Sequence, residues 1–325
     1  SLSLSLSTVV AAPSRQAAMK RRVNYAVIDA FTGVPFKGNP AAVCLLEVGD
    51  AAARGGDSWM KSLAAEFNIS ETCFLTPAPP SQGSEGDAAA AVPRFHLRWF
   101  TPVEEVDLCG HATLAAAHFL FTSSLPNSTE VEFITKSGIL TAKKVSGIWQ
   151  MHSSNVPHGG NEEQFSVELD FPVISVVECD SVEVPLIPET LHDASIVDVK
   201  KTVDGDLVVV LASGKDVTNI RPQFDEIRKC TGRGVIVTGP APDGSGFDFF
   251  SRFFCPKLGI NEDPVCGSAH CALAPYWRRK IGKSHLVAYM ASPRGGRLDL
   301  LVEEETQRVK IRGEAVTVMV GTLLA

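Results

Sequence analysis

Most of this chain is written in short apolar runs separated by polar turns. "NYAVIDAF", "EVEFITKS", "VVVLAS", "GVIVTG" and "DFFSRFF" are rich in Val, Ile and Phe and have strand length, so each predicts a β-strand. Trp59–Phe67 and Pro222–Lys229 predict short amphipathic helices. Two stretches break the rhythm: "CGHATLAAAHFLF" from Cys109 and "CGSAHCALAPYW" from Cys266. The first is apolar on every side, which predicts a helix enclosed by other structure. The second acquires "WRRK" at its far end and is expected to emerge into water there.

The pattern occurs twice. "LRWFTPVEEVDLCGHATLAAA" aligns with "SRFFCPKLGINEDPVCGSAHCALA" at an offset of 154 at Arg98 and Arg252 (252 − 98). The offset is 157 at Cys109 and Cys266 (266 − 109), the second copy having three more residues in its loop. Upstream, "SWMKSLAAEFNISETCFLTP" parallels "PQFDEIRKCTGRGVIVTGP", and "AAVCLLE" parallels "LVVVLAS". Downstream, Gly138 of "KSGILTAKK" falls against Gly296 of "RGGRLDLLV". Matched order with a drifting offset predicts a duplicated unit. The expected fold is α+β: two pseudo-symmetric lobes, each a rolled mixed sheet around one central helix. Residues 23–155 and 191–325 form the lobes, and the poorly periodic stretch 156–190 is expected to cross between them.

Composition narrows the classes. A chain of 325 residues with 45% apolar and 21% charged residues fits a globular protein of two units. The net charge of −7 argues against a nucleic-acid partner. No apolar run approaches the roughly 18 residues of a membrane helix, so no membrane partner is expected. The eight Cys are scattered through apolar runs, as reduced intracellular thiols would be. A cytoplasmic location follows, with one alternative. Residues 1–22 are rich in Ser and Ala and lack Asp and Glu, as in a plastid or other organelle transit segment; otherwise they are a disordered leader.

The Cys-Gly helix starts carry the chemistry. A helix N-terminus presents unpaired N–H groups and partial positive charge, which together favour an anion. Two such starts related by symmetry would face one another and hold a carboxylate. The same field is expected to lower the pKa of Cys109 and Cys266, making them a thiol/thiolate pair able to racemise an α-carbon. Residues that break the repeat have no duplicated structural role, which makes them functional candidates. Glu71 falls against the Gly-Val of "GRGVIVTG", His111 against Ser268, and Asp263 against Val106. The Gly-rich "FTGVPFKGNP" lacks the pattern of a phosphate loop and reads as a turn over the cleft, with Asn39 a substrate contact. Zinc held by Cys109, His111, Cys266 and His270 is the metal alternative. His270 is expected to point away, so no metal and no cofactor are predicted. "LVEEETQRVKIRGE" reads as a solvated hairpin, and His96 and His118 as structural.

Four segments together, "IDAFTGVPFKGNPAAVCLL", "NISETCFL", "RWFTPVEEVDLCGHATLAAA" and "GINEDPVCGSAHCALAPYW", resemble the phenazine-biosynthesis-protein-F-like family from about Tyr25 to the C-terminus. The resemblance implies the diaminopimelate epimerase fold, with the active site between two similar lobes. It implies Glu71 as general acid/base, with His111 and Asp263 assisting or orienting. Gly110, Gly267, Ser268 and the neighbouring Ala269 would bind a substrate carboxylate. It implies cofactor-free isomerisation of a small carboxylate-bearing amino-acid-like or cyclic hydroxy-acid substrate, and a homodimer is common in such folds. One departure stands out: the phenazine enzyme lacks a cysteine pair, whereas this chain has Cys109 and Cys266. Two further readings therefore stay open, a two-cysteine epimerase and a non-enzymatic binding protein on the same fold.

Overall fold

Strand-forming runs dominate the chain, and they pair in an order that repeats. A computed structural model describes residues 22–81, 91–146, 165–179, 191 and 194–324. The transit-like segment, and parts of the expected crossover, lie outside the described residues. The first half runs β1 (Val23–Ala30), β2 (Asn39–Leu45), α1 (Asp50–Ala53), α2 (Asp57–Phe67), β3 (Glu71–Ala78), β4 (Arg94–Phe100), β5 (Glu105–Val106), α3 (Gly110–Thr122), β6 (Glu130–Thr135), β7 (Gly138–Ser146), β8 (Phe165–Pro172) and β9 (Val176–Glu178). The second runs β10 (Ile196–Thr202), β11 (Leu207–Leu211), α4 (Gly214–Asn219), α5 (Phe224–Ile227), β12 (Val235–Pro240), β13 (Phe249–Cys255), β14 (Ile260–Asp263), α6 (Gly267–Ile281), β15 (His285–Met290), β16 (Gly296–Glu303), β17 (Arg308–Gly313) and β18 (Ala315–Leu323).

Parallel pairs β2·β3 and β4·β6 in the first half are matched by β11·β12 and β13·β15 in the second. The internal two-fold can be read from register. Ala142 of β7 faces Leu169 of β8, and its counterpart Leu300 of β16 faces Ile311 of β17. Leu169 and Ile311 are themselves cross-strand partners, so the dyad passes between two equivalent, fully buried residues. The halves also exchange their last strands. β18 pairs with β1 of the first half, and β9 with β10 of the second. β8 lies within the stretch expected to be an irregular crossover, yet it is a regular strand at the seam between the halves.

Each half folds around its own apolar helix. α3 contacts β1, β2, β3, β7, β8 and the exchanged β18; α6 contacts β15, β16, β17 and the exchanged β9. Of α3, only Phe119 and Thr122 are not buried, in keeping with its uniformly apolar sequence. α6 ends as expected in water: Arg279, Lys280 and Ile281 are exposed. Gly282 caps it at φ 82°, with its N–H on the Arg278 carbonyl at 2.8 Å, and three basic residues complement the helix dipole. Pro275 inside α6 cannot bond to the Cys271 carbonyl. That carbonyl accepts instead from Ile174 N at 3.0 Å, which ties the segment after β8 to the second helix.

The strands of both halves join in one 18-stranded sheet, and in each half a smaller apolar layer sits outside it. Met60 and Leu63 of α2 pack with Phe74 and Phe100, and Ile227 of α5 packs with Phe254. The helix expected over Pro222–Lys229 is only Phe224–Ile227, because the chain turns at once into a Gly-containing loop held by Lys257. The hairpin expected to be solvated buries Val302, Val309 and Ile311: strand alternation turns one face to the core although the other is charged. Among the described residues, no helix is long and apolar enough to cross a membrane.

Candidate active site

The two Cys-Gly helix starts meet. A Cβ placed on Gly110 would lie 3.2 Å from the Gly267 Cα, and one on Gly267 would lie 3.2 Å from the Gly110 Cα. Only glycine at both positions allows this approach without displacement. Cys109 and Cys266 are both extended and stand just before helical geometry begins. The first-turn amides of both helices thus converge on one small region between the halves.

The repeat-breaking residues all sit at the ends of elements. Glu71 opens β3, His111 is the second residue of α3, and Asp263 closes β14. Asn39, at the start of β2, joins the halves: its Nδ2 donates to Asp263 Oδ1 at 2.6 Å and to the Val265 carbonyl at 3.0 Å. His111 Nδ1 lies 3.3 Å from Cys109 Sγ, and Ser268 Oγ lies 3.3 Å from Cys266 Sγ. These contacts occupy equivalent places in the repeat. Three buried side-chain atoms at the site have no hydrogen-bond partner within the protein: Asn39 Oδ1, Glu71 Oε2 and His111 Nε2. A buried polar atom without a partner carries a desolvation cost, which a ligand bound at the site would relieve.

Burial sets the protonation states. It pushes the Glu71 carboxyl well above the usual range, and the nearby Asp263 charge pushes it further. Asp263 is raised to about 6 by burial, against opposing contributions from Cys266, the Val265 amide, Arg233 and Asn39. His111 is lowered to about 3 by burial and is therefore neutral at physiological pH. The thiols differ from expectation. Burial raises Cys109 and Cys266, with Glu71 adding to the effect on Cys109 and Asp263 to that on Cys266. The Ala112 and Ala269 amides favour the thiolates but are outweighed. A helix start favours the thiolate; here burial, with Glu71 at Cys109 and Asp263 at Cys266, outweighs it, and outweighs the Arg233 charge that also favours the Cys266 thiolate.

His270 points away from the site, as expected. Its Nδ1 donates to the Cys266 carbonyl at 2.7 Å, which leaves Nε2 to accept from Ser251 Oγ at 3.2 Å. With both ring nitrogens engaged, it offers no lone pair to a metal shared with Cys109, His111 and Cys266.

Comparison with known proteins shows the family. The family described as phenazine biosynthesis-like protein matches residues 28–321. The chain belongs to that family. An uncharacterized isomerase of Halalkalibacterium halodurans is 39% identical over 306 residues, covering 92% of this chain and 97% of its own. The crystal structure of a phenazine biosynthesis protein PhzF family member from Enterococcus faecalis superposes with a TM-score of 0.73 at 35% identity, over 93% of this chain and 99% of that one. A hydroxyproline epimerase from Agrobacterium vitis, at 14% identity and a TM-score of 0.53 over 94% of this chain and 93% of its own, shares the fold alone. Membership of this family, with relatives named as isomerases, supports a general isomerase role for the chain.

This family member also carries a site residue that sequence reasoning passed over. Arg233 Nη1 reaches Ser268 Oγ at 3.4 Å, at the start of α6. Its sequence signal is faint: one Arg between the two glycines of "GRG".

Proposed function

We propose that the protein isomerises a small carboxylate-bearing acid by cofactor-independent proton transfer. The observation that carries this reading is the cluster of Glu71 Oε2, His111 Nε2 and Asn39 Oδ1, buried and without protein partners, beside the glycine-to-glycine meeting of α3 and α6. The substrate carboxylate sits against the helix starts, at Gly110, Gly267 and Ser268. Glu71, as carboxylate, takes a proton from a carbon conjugated with that group. The C–H bonding pair moves into the conjugated system, and the proton then held on Glu71 returns to another carbon, so atoms and charge balance. A carboxyl raised by burial is a stronger base than an ordinary Glu, and its acid form is well populated for the return step. Neutral His111 takes the S–H of Cys109 at Nδ1 and presents Nε2–H to the substrate. Asp263 is held by Asn39 and orients the second half of the site.

The two-cysteine alternative draws on the symmetric thiols, but both are held well above the ordinary range, which weighs against a resting thiolate. Incubation in heavy water with a panel of amino and cyclic hydroxy acids separates the readings. Deuterium incorporation is expected for wild type and for Cys109→Ser, and is lost in Glu71→Gln. Turnover that survives Glu71→Gln and disappears in Cys109→Ser would establish the epimerase chemistry instead.

A further inference from the structure

Duplication predicts like residues at like places, so a charged pair confined to one half needs a reason. Thr72 faces Phe100 across β3 and β4, and Val235 faces Phe254 across β12 and β13. Phe100 and Phe254 are equivalent in the repeat, so Glu71 is matched by Gly234 and Ser70 by Arg233. One half brings a carboxyl to its helix start and the other brings a guanidinium.

Arg233 is built in. Asp206, fully buried, accepts from the Arg233 backbone N–H at 2.7 Å and from Nε at 2.9 Å, and also pairs with Nη2. A Cβ on Gly232 would lie 2.3 Å from the Gly205 carbonyl oxygen, so these two turns pack backbone on backbone. Lys257 Nζ holds the Gly232 carbonyl at 2.9 Å and bonds that of Cys230. The guanidinium lies over the Phe253 ring, 5.7 Å from its centroid. Burial works against its charge, but the Asp206 carboxylate keeps it ionised. Asp206 occupies the Nε and Nη2 edge, which leaves Nη1 turned toward Ser268. The side chain retains 38% exposure, so Arg233 is not sealed from solvent. The orphaned atoms of Asn39, Glu71 and His111 all belong to the opposite half.

We infer that Arg233 is the charge anchor of the site: Nη1, with Ser268 Oγ and the first-turn amides of α6, receives the substrate carboxylate and turns the reacting carbon toward Glu71 and His111. A nearly two-fold site thereby acquires one direction of binding. Asp206 is the positioning residue behind the anchor. The role of the reacting carbon rests on the proton-transfer reading above; the anchoring of a carboxylate does not.

Calorimetric titration of the full chain with benzoate and with neutral benzamide tests the anchor. Wild type is expected to bind benzoate at least about tenfold more tightly than benzamide, the scale of a charge-assisted hydrogen bond. Arg233→Met should weaken benzoate about tenfold or more and leave benzamide within about twofold. Arg233→Lys, which keeps the charge but not the fork on Asp206, should fall between them and supplies the comparison if the Met variant does not fold. With an identified substrate, both variants should raise KM more than they lower kcat, the opposite of Glu71→Gln. Equal benzoate affinity in wild type and a folded Arg233 variant overturns the inference, as does a wild type indifferent to benzoate over benzamide. Arg233-dependent benzoate binding without deuterium uptake by any acid leaves the anchor standing and removes the proton-transfer reading.

Discussion

A carboxyl whose ionisation is disfavoured by its surroundings works against the fold each time it loses its proton. Asp263 is raised from 3.8 to about 6, burial being the main cause. Between those values the folded chain keeps a proton that the unfolded chain has released. Stability contributed by the protonated form is therefore lost as pH rises through that window, and Glu71 acts in the same direction. Asp263→Asn should be more stable than wild type at pH 8 by on the order of 2 kcal/mol, with the gap closing near pH 4. Urea melts at the two pH values measure it, and a wild type more stable at pH 8 would contradict the assignment. The thiols give a second check. At pH 7.5, iodoacetamide should label Cys179, the one cysteine not buried, well before Cys109 or Cys266. Peptide mapping reads the order. Glu71, His111 and Asp263 were legible as breaks in a repeat. The thiol state was not, because a helix-start argument counts nearby N–H groups and is blind to enclosure. Arg233 escaped because its match with Ser70 appears only once strand register is known.

At the scale of elements, the two helix starts are locked by equivalent devices of different chemistry. Thr113 Oγ1 donates to the Cys109 carbonyl at 2.6 Å, and His270 Nδ1 donates to the Cys266 carbonyl at 2.7 Å, each from four residues along. His270 also stacks on Phe249 and bonds Ser251, so it fixes the α6 start to β13. His270→Ala should cost about 3 kcal/mol by urea titration, from a cavity and the loss of two buried hydrogen bonds. Gly110→Ala should leave the circular dichroism spectrum unchanged and weaken benzoate binding at least about tenfold, since the new Cβ drives the helix starts apart. Both starts were readable from their Cys-Gly openings and the small, apolar residues that follow. Elements without such marks were read less well. The strand β8 hid in a stretch without clear alternation because its place is fixed by partners on both sides, β7 and β17, rather than by its own pattern.

Across the whole molecule, strand exchange makes the two lobes one folding unit. β1 has β18 along one side and β2 along the other. A chain ending at Gly313 would strip β1 of that neighbour and uncover α3, which β18 helps enclose. Such a chain is expected to lose cooperative folding in both halves, not only in the second. Trp99 lies in the first half and Trp277 in the second, and both are buried. Variants retaining one of these as the reporter should show coincident urea transitions in the full chain, and two separated midpoints would contradict the single unit. The duplication and the enclosed helices were visible in the sequence. The exchange was not, since nothing in β18 or β9 records which half each will join.

That exchange also bears on how the site became unequal. Neither half is closed without a strand lent by the other, so a single ancestral copy would have had to lend and borrow with a twin. In such a pair, any new side chain appears on both sides of the axis at once: an acid would face an acid, and a cation a cation. Within one chain that constraint does not hold, so Glu71 can stand on one side of the axis and Arg233 on the other.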